Sequence, residues 1–316
     1  MEKITVALLS GGISSEREVS LKSGDQVYES LDKAKYNVVR YDPKTDLPRL
    51  VSDSPGIDAA LIILHGRYGE DGTVQGLLDL LDIPYQGSGV LGSAVAMNKI
   101  ASKQLYEQSG IPVPPYLVIK KGDPVDSATC IRRLGMPLVM KPVSGGSSIG
   151  VSIVRSEENF REAVKTAFDH DNAVLMEAFI DGIEITGGVV GNENLTALPV
   201  IEIIPDKKFE FFDYAAKYTP GASKEICPAR IDEALTLKAQ TLAKMDHSAL
   251  FCRGYSRTDM ILSGKEIYVL ETNTIPGMTA TSLLPRAAQA AGISFGGLLD
   301  RLIELCMDGR GKKKGE

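Results

Sequence analysis

The chain has 316 residues, of which 43% are hydrophobic and 24% charged, an ordinary globular composition that excludes disorder, collagen-like repeats and a disulfide scaffold. A formal charge of −6 provides no diffuse basic field for nucleic acid, so any phosphate binding must come from a local site. Cys130, Cys227, Cys252 and Cys306 are far apart and form no CxxC pair, which argues against a zinc site or a disulfide framework and predicts buried, reduced thiols.

The first hundred residues alternate apolar runs with amphipathic stretches: Ile4–Leu9, Glu16–Leu31, Asn37–Tyr41, Ala59–Leu64 and Val74–Leu81. This rhythm predicts an open parallel α/β sheet, with the glycine turns Gly11-Gly12 and His65-Gly66 at strand ends, where such sheets bind ligands. Ser15 and Glu18 stand at capping-box spacing and mark a helix start. The run before Gly11 is too short for a signal peptide, and no stretch approaches the roughly 18 apolar residues of a membrane span. The expectation is a cytoplasmic protein with no membrane or nucleic-acid partner.

Gly87, Gly89 and Gly92 match GxGxxG, with Glu107 about twenty residues on, but Glu107 lies inside a helical run rather than at a strand end. A tight turn opening a helix suffices, and a dinucleotide site is set aside. The helix is predicted from Ser93 to about Gln108, stopped by Ser109-Gly-Ile-Pro-Val-Pro-Pro115. Strands at 116–119, 137–142, 151–154 and 173–180, with a helix at 157–168, form a small α+β unit. Beyond it come strands at 185–190 and 198–204, a polar loop at 205–224, a helix at 231–246, a hairpin at 257–273 and closing helices. Three units result: 1–92, 93–180 and 181–316. The closing Arg310–Glu316 run reads as a solvated terminus.

Lys141-Pro-Val-Ser-Gly-Gly-Ser-Ser-Ile-Gly150 stands between two strand patterns. It is not a Walker A loop, because the lysine precedes the glycines. The glycines nevertheless let the backbone approach a polyanion, the turn's N–H groups form a nest, and Ser144, Ser147 and Ser148 add hydroxyl donors. A lysine at the end of an apolar strand also requires a counter-anion.

Arg257-Thr-Asp259 is followed by a turn at Ser263-Gly264-Lys265 and then by Ile267-Tyr-Val-Leu-Glu-Thr-Asn273. In such a hairpin Asp259 falls within one position of Glu271, and Asn273 shares a strand face with Glu271. Oxygen ligands so placed suit Mg²⁺ or Mn²⁺ held jointly with phosphates; a structural cluster salt-bridged to Arg257 is the plainer alternative. The loop Thr274–Leu283 could present the Gly277 N–H to a developing oxyanion beside Arg257.

Taken in order, Gly-Gly-x-Ser-x-Glu-Arg-Glu-Val-Ser, His65-Gly-x-x-Gly-Glu-Asp-Gly72, Gly87-Ser-Gly, the lysine and glycine-serine run, Tyr214-Ala-Ala-Lys-Tyr218 and Leu270-Glu-x-Asn-Thr-x-Pro-Gly-Met-Thr resemble the D-alanine–D-alanine ligase family over residues 4 to about 305. The resemblance implies an ATP-grasp fold, combining α/β and α+β units, behind an N-terminal open parallel α/β domain. It implies ATP-dependent joining of two D-alanines through an acyl phosphate, with two Mg²⁺ or Mn²⁺ ions and a homodimer.

Carried over by position, Lys99 and Lys141 would contact the ATP phosphates, and Ser148 and Lys217 would also bind ATP. Glu177 and Glu184 would contact the adenine amino group and ribose, and backbone near Phe179 and Ile180 would read the adenine. Asp259, Glu271 and Asn273 would hold the metal ions, and Arg257 and Gly277 would stabilise the oxyanion. Glu16, Ser147 and Tyr218 would fix the amino acids and clamp the 205–224 loop as a lid. His65 would lie by the first D-alanine, and Ser282 with Leu283 by the second.

Tyr218 argues for an amine nucleophile, since members that make D-alanyl-D-lactate tend to carry Phe there. Asn98, Ala178 and Gly187-Gly188 depart from the family pattern and bear on the adenine pocket and local stability. The rival readings are a ligase taking D-lactate or D-serine, and a catalytically silent ATP-binding scaffold.

Overall fold

The structure, a computed structural model, describes residues 3–146, 149–206 and 223–308. The expectations for Ser147, Ser148, Lys217 and Tyr218, for most of the 205–224 lid and for the Arg310–Glu316 run lie outside the described residues.

β1 (Ile4–Leu9) pairs in parallel with β2 (Tyr36–Tyr41) and β3 (Ala59–Ile62) in the order β2-β1-β3, as the alternating rhythm predicts. The near-continuous apolar runs of β1 and β3 suit burial on both faces. One face packs against Leu50, Val74 and Leu78 from α2 (Leu47–Asp53) and α3 (Thr73–Leu80). The other meets Leu284, Leu298 and Leu302 from α9 (Leu283–Ala290) and α10 (Phe295–Met307), so the end of the chain seals the first sheet.

α1 (Arg17–Ser30) starts later than predicted, and the Ser15–Glu18 capping box does not form. Ser15 is exposed, whereas the Ser14 hydroxyl donates to the His65 carbonyl at 2.7 Å and accepts from Glu16 N–H at 3.2 Å. The single helix predicted over 93–108 is two: α4 (Val90–Met97) and α5 (Lys99–Gln108). Asn98 between them is extended, and its Oδ1 accepts from Ile100 and Ala101 N–H, both at 3.1 Å, as an N-cap.

The second sheet is antiparallel, in the order β4-β7-β5-β6, from β4 (Tyr116–Lys120), β5 (Leu138–Pro142), β6 (Ser152–Val154) and β7 (Ala173–Ala178). α6 (Ser127–Leu134) was not read from the sequence, and α7 (Phe160–Phe168) buries Phe160, Ala163, Val164 and Ala167, one helical stripe.

The third sheet runs β11-β10-β8-β12-β13, built from β8 (Ile183–Gly191), β10 (Ile201–Pro205), β11 (Ser223–Ile226), β12 (Gly254–Ser263) and β13 (Glu266–Asn273). A short β9 (Thr196–Ala197) pairs with β8. α8 (Glu233–Ala249), capped by the Asp232 side chain on Leu235 N–H at 2.8 Å, lies on one face of this sheet. A Cβ on Gly187 would meet the Ala243 methyl at 3.0 Å, and one on Gly188 would meet Leu284 Cδ1 at 2.7 Å. The two glycines therefore let α8 and α9 seat directly on β8. Among the described residues no helix is long and apolar enough to cross a membrane.

Candidate active site

The second and third sheets face one another across an open cleft. Strand alternation decides which side chains reach it. From the second sheet come Val139 and Lys141, two apart on β5, and Glu177, which pairs with Val139 across to β7. From the third come Asp259 and Ile261 on β12 and Glu184 on β8, with Glu184 opposite Ile261. Lys99, Phe179, Ile180 and Glu271 line the cleft as well, whereas Asn273 is not among its lining residues, and Ser148 and Lys217 lie outside the described residues.

Asp259 is directly opposite Glu271, and Arg257 opposite Asn273. The register then slips, so Leu270 has no partner between Met260↔Val269 and Asp259↔Glu271. This bulge lets the consecutive Leu270 and Glu271 both line the cleft.

Asp259 is buried and heavily engaged. Arg257 donates to it twice, Nε to Oδ1 at 2.9 Å and Nη2 to Oδ2 at 2.8 Å. The Thr186 hydroxyl donates to Oδ1 at 2.7 Å, and Asn273 Nδ2 to Oδ2 at 3.1 Å. Among the described residues no group of three His, Cys, Asp or Glu side chains is close enough to hold a metal alone. Two facing carboxylates and an amide oxygen are nonetheless hard oxygen donors, incomplete without further oxygens such as a phosphate's. Facing acids also repel unless a cation joins them.

At the opposite wall Lys141 Nζ lies 2.5 Å from Glu177 Oε2, the counter-anion this lysine requires. Lys103 Nζ lies 2.5 Å from Oε1. Burial alone would raise the Glu177 carboxyl, but the two ammonium groups hold it at about 2. Burial lowers Lys103 against that pull, whereas Lys141 is raised overall because Glu177 and Glu271 outweigh its burial. Lys99 Nζ donates to the Gly145 carbonyl at 2.6 Å and lies 3.7 Å from Glu271 Oε2. The glycine-rich loop is thereby drawn towards the hairpin acids. Its Gly145 and Gly150 have φ of 109° and 73°, a backbone region that side chains rarely tolerate.

A second group sits where the first sheet's loops meet the hairpin. Glu16 and His65 are both buried. The Glu16 carboxylate does not cap α1, and its Oε2 stands 3.1 Å from where a Cβ on Gly66 would be. Burial lowers the His65 imidazole, with Glu16 opposing and Arg257 adding to the effect. Arg257 thus acts electrostatically on both groups. Past the hairpin, a Cβ on Gly277 would meet Ser282 Oγ at 3.0 Å, and that oxygen accepts from Thr279 N–H at 3.1 Å. The side chain of Leu283, the next residue, packs into the core shared with the first sheet.

Residues 105–304 match the family described as D-ala D-ala ligase C-terminus, and residues 46–88 match D-ala D-ala ligase N-terminus. The D-alanine–D-alanine ligase of Syntrophobacter fumaroxidans is 64% identical over 97% of this chain and 99% of its own length. The chain belongs to the D-alanine–D-alanine ligase family. The enzyme of that name from Desulfotalea psychrophila is 54% identical over 99% of this chain and 98% of its own. Among solved structures, the D-alanine–D-alanine ligase of Bacillus anthracis complexed with ATP superposes with TM-score 0.86 at 36% identity, covering 98% of this chain and 99% of that one. The VanG D-Ala:D-Ser ligase of Enterococcus faecalis gives 0.82 at 32%, covering 96% and 100%.

Several residues around this D-alanine–D-alanine ligase cleft escaped sequence reasoning. Lys103 follows Lys99 by one helical turn on α5, an i, i+4 spacing that could have found it. Glu70, inside the His65–Gly72 motif, accepts from Gly66 N–H at 2.5 Å. Burial, then the Glu16 charge, push its carboxyl up to about 8. Thr186, the hydroxyl on Asp259, gave no signal in its apolar strand. The departures also find places: Asn98 serves as the cap of α5, and Ala178 N–H donates to the Pro115 carbonyl at 2.9 Å. Phe179 N–H is engaged by the Pro137 carbonyl at 3.2 Å, so that donor does not point at a nucleotide.

Proposed function

We propose that the chain joins two D-alanines into D-alanyl-D-alanine with cleavage of ATP to ADP and phosphate, supplying a peptidoglycan precursor in the cytoplasm. The observation that carries this reading is the shared cleft: the lysines Lys99 and Lys141 and the acids Asp259 and Glu271 line one space between two opposed sheets. The superposition on a ligase complexed with ATP supports the same reading.

A carboxylate oxygen of the first D-alanine attacks the γ-phosphorus, ADP leaves and an acyl phosphate forms. The amine of the second D-alanine attacks the acyl carbon, and phosphate leaves with the proton that the amine gives up. Such chemistry asks for positioning and charge neutralisation. Lys99 and Lys141, with Ser148 and Lys217, hold the phosphates, and Phe179, Ile180, Glu184 and Glu177 line the nucleoside end. Asp259, Glu271 and Asn273 are the donors for two Mg²⁺ or Mn²⁺ ions, which when bound neutralise phosphate charge. Arg257 and Gly277 face the oxyanion; Glu16, His65, Ser147 and Tyr218 hold the first amino acid and close the site, and Ser282 with Leu283 border the second. The units 93–180 and 181–316 supply the two walls of the nucleotide cleft, the unit 1–92 completes the amino-acid site, and the working form is a homodimer.

Phosphate release from ATP tests the reading. It should require both D-alanine and Mg²⁺, and D-lactate should not replace the second D-alanine at neutral pH. Folded protein releasing no phosphate under these conditions would overturn it. Equal turnover with D-serine would place the chain with the D-Ala:D-Ser ligase to which it is also similar.

A further inference from the structure

The buried stripe of α8 consists of Ala239, Leu242, Ala243, Asp246 and His247, so an acid and a histidine occupy positions that a helix packed on a sheet ordinarily fills with apolar side chains. Both point at the strands of the active-site hairpin, from the face opposite the cleft. Thr258 and Thr272 are paired across β12 and β13. Thr258 lies between Arg257 and Asp259, and Thr272 between Glu271 and Asn273, so strand alternation turns the hydroxyls to α8 and their neighbours to the opposite face of the hairpin.

One carboxylate receives both. The Thr258 hydroxyl donates to Asp246 Oδ2, and the Thr272 hydroxyl approaches Asp246 Oδ1 at 2.7 Å and Oδ2 at 2.6 Å. Tyr106 OH, from α5, lies 2.6 Å from Thr272 Oγ1. Next along the helix, His247 Nδ1 lies 2.7 Å from Ser256 Oγ, two residues before Thr258 on the same strand face. Asp246, Thr258, Ser256 and Tyr106 have no exposed surface.

A buried carboxylate costs desolvation that an apolar pair in its place would avoid, and a fully bonded polar network offsets that cost with directional rigidity. We infer that Asp246 is a positioning residue: through Thr258 and Thr272 it clamps β12 to β13 from behind and fixes the spacing of Arg257 and Asp259 against Glu271 and Asn273. Asp246 touches no substrate. Its effect on turnover rests on the ligase reading, but its effect on the hairpin's hold on metal and nucleotide does not.

The test compares Asp246→Ala, Asp246→Asn and Thr258→Val with wild type in kinetics, in calorimetry of ATP binding with and without Mg²⁺, and in thermal unfolding. Asp246→Ala should lower kcat about tenfold while the KM of the first D-alanine stays within about twofold, since the Glu16 and His65 end is untouched. Mg²⁺-dependent ATP binding should weaken about tenfold, with metal-free binding unchanged. Asp246→Asn, which keeps an acceptor oxygen, should recover most of both. A folded Asp246→Ala protein with a lower melting temperature but wild-type kcat and Mg²⁺-dependent binding would overturn the inference. If that variant does not fold, Thr258→Val decides by the same readings. Wild-type protein that binds ATP with Mg²⁺ yet makes no dipeptide would sink the ligase reading alone, because calorimetry still separates the variants.

Discussion

Lys141 and Glu177 form an ion pair at 2.5 Å on the wall of the nucleotide cleft, and Lys103 shares the same carboxylate. Removing the anion leaves two ammonium groups without their compensating charge, one of them fully buried, the situation in which breaking a buried pair costs about 3 to 5 kcal/mol. Glu177→Gln should therefore be markedly less stable in urea unfolding at neutral pH. The sign with pH follows from a folded pKa of about 2, below the unfolded value: the carboxylate's contribution is full above about pH 4.5 and is lost as pH falls through 2. The gap between wild type and variant should narrow on acidification. Equal urea midpoints at pH 7 would contradict this account of the wall.

Asn98 makes a second prediction. Its Oδ1 caps α5, it bridges to Ser144, and Lys99 N–H beside it donates to the Val143 carbonyl at 3.0 Å. The helix start and the root of the glycine-serine loop are one unit. Asn98→Ala should cost about 1 kcal/mol in denaturant unfolding, while Asn98→Asp, with an equivalent acceptor, should be near neutral. Because the loop's root is held here, the alanine variant should also raise the KM for ATP, and an unchanged KM would separate the cap from the loop.

Glu70 gives a pH signature of the opposite sign. Burial and then Glu16 push its carboxyl up to about 8, against the Gly66 N–H and Arg257. The folded protein then keeps a proton that the unfolded chain surrenders near its ordinary value of 4.5, so this contribution to stability is full below that pH and is lost as pH rises through 8. Glu70→Gln removes the titration. Melting temperatures taken across this range should show wild type losing stability relative to the variant as pH rises. Parallel curves would mean that Glu70 ionises normally.

The hairpin was legible because a short Ser263-Gly264-Lys265 turn leaves little freedom in register, and Asp259 does fall opposite Glu271. The bulge at Leu270 was not legible, since one extra residue in an apolar run changes no pattern. The first sheet followed from apolar runs long enough to be buried on both faces. The break at Asn98 did not, because no glycine or proline marks it; contacts with Val143 and Ser144, distant in sequence, set it. Ser15 suited a capping box by spacing, but the neighbouring Ser14 hydroxyl binds the His65 carbonyl and the helix begins two residues later. α2 and α6 are too short for periodicity to stand out. Asp246 carries no signal in the sequence, and only packing shows it to be interior.

The central claim is that the hairpin acids and the lysines of the opposite sheet serve one ATP during dipeptide formation. Its most direct test is end-point product analysis by mass spectrometry for wild type and Glu271→Gln, each supplied with ATP, Mg²⁺ and D-alanine. Wild type should yield D-alanyl-D-alanine, ADP and phosphate in equal amounts, and Glu271→Gln, folded and equally stable, should fall by about two orders of magnitude or more. Dipeptide formed by Glu271→Gln at the wild-type rate would contradict the account.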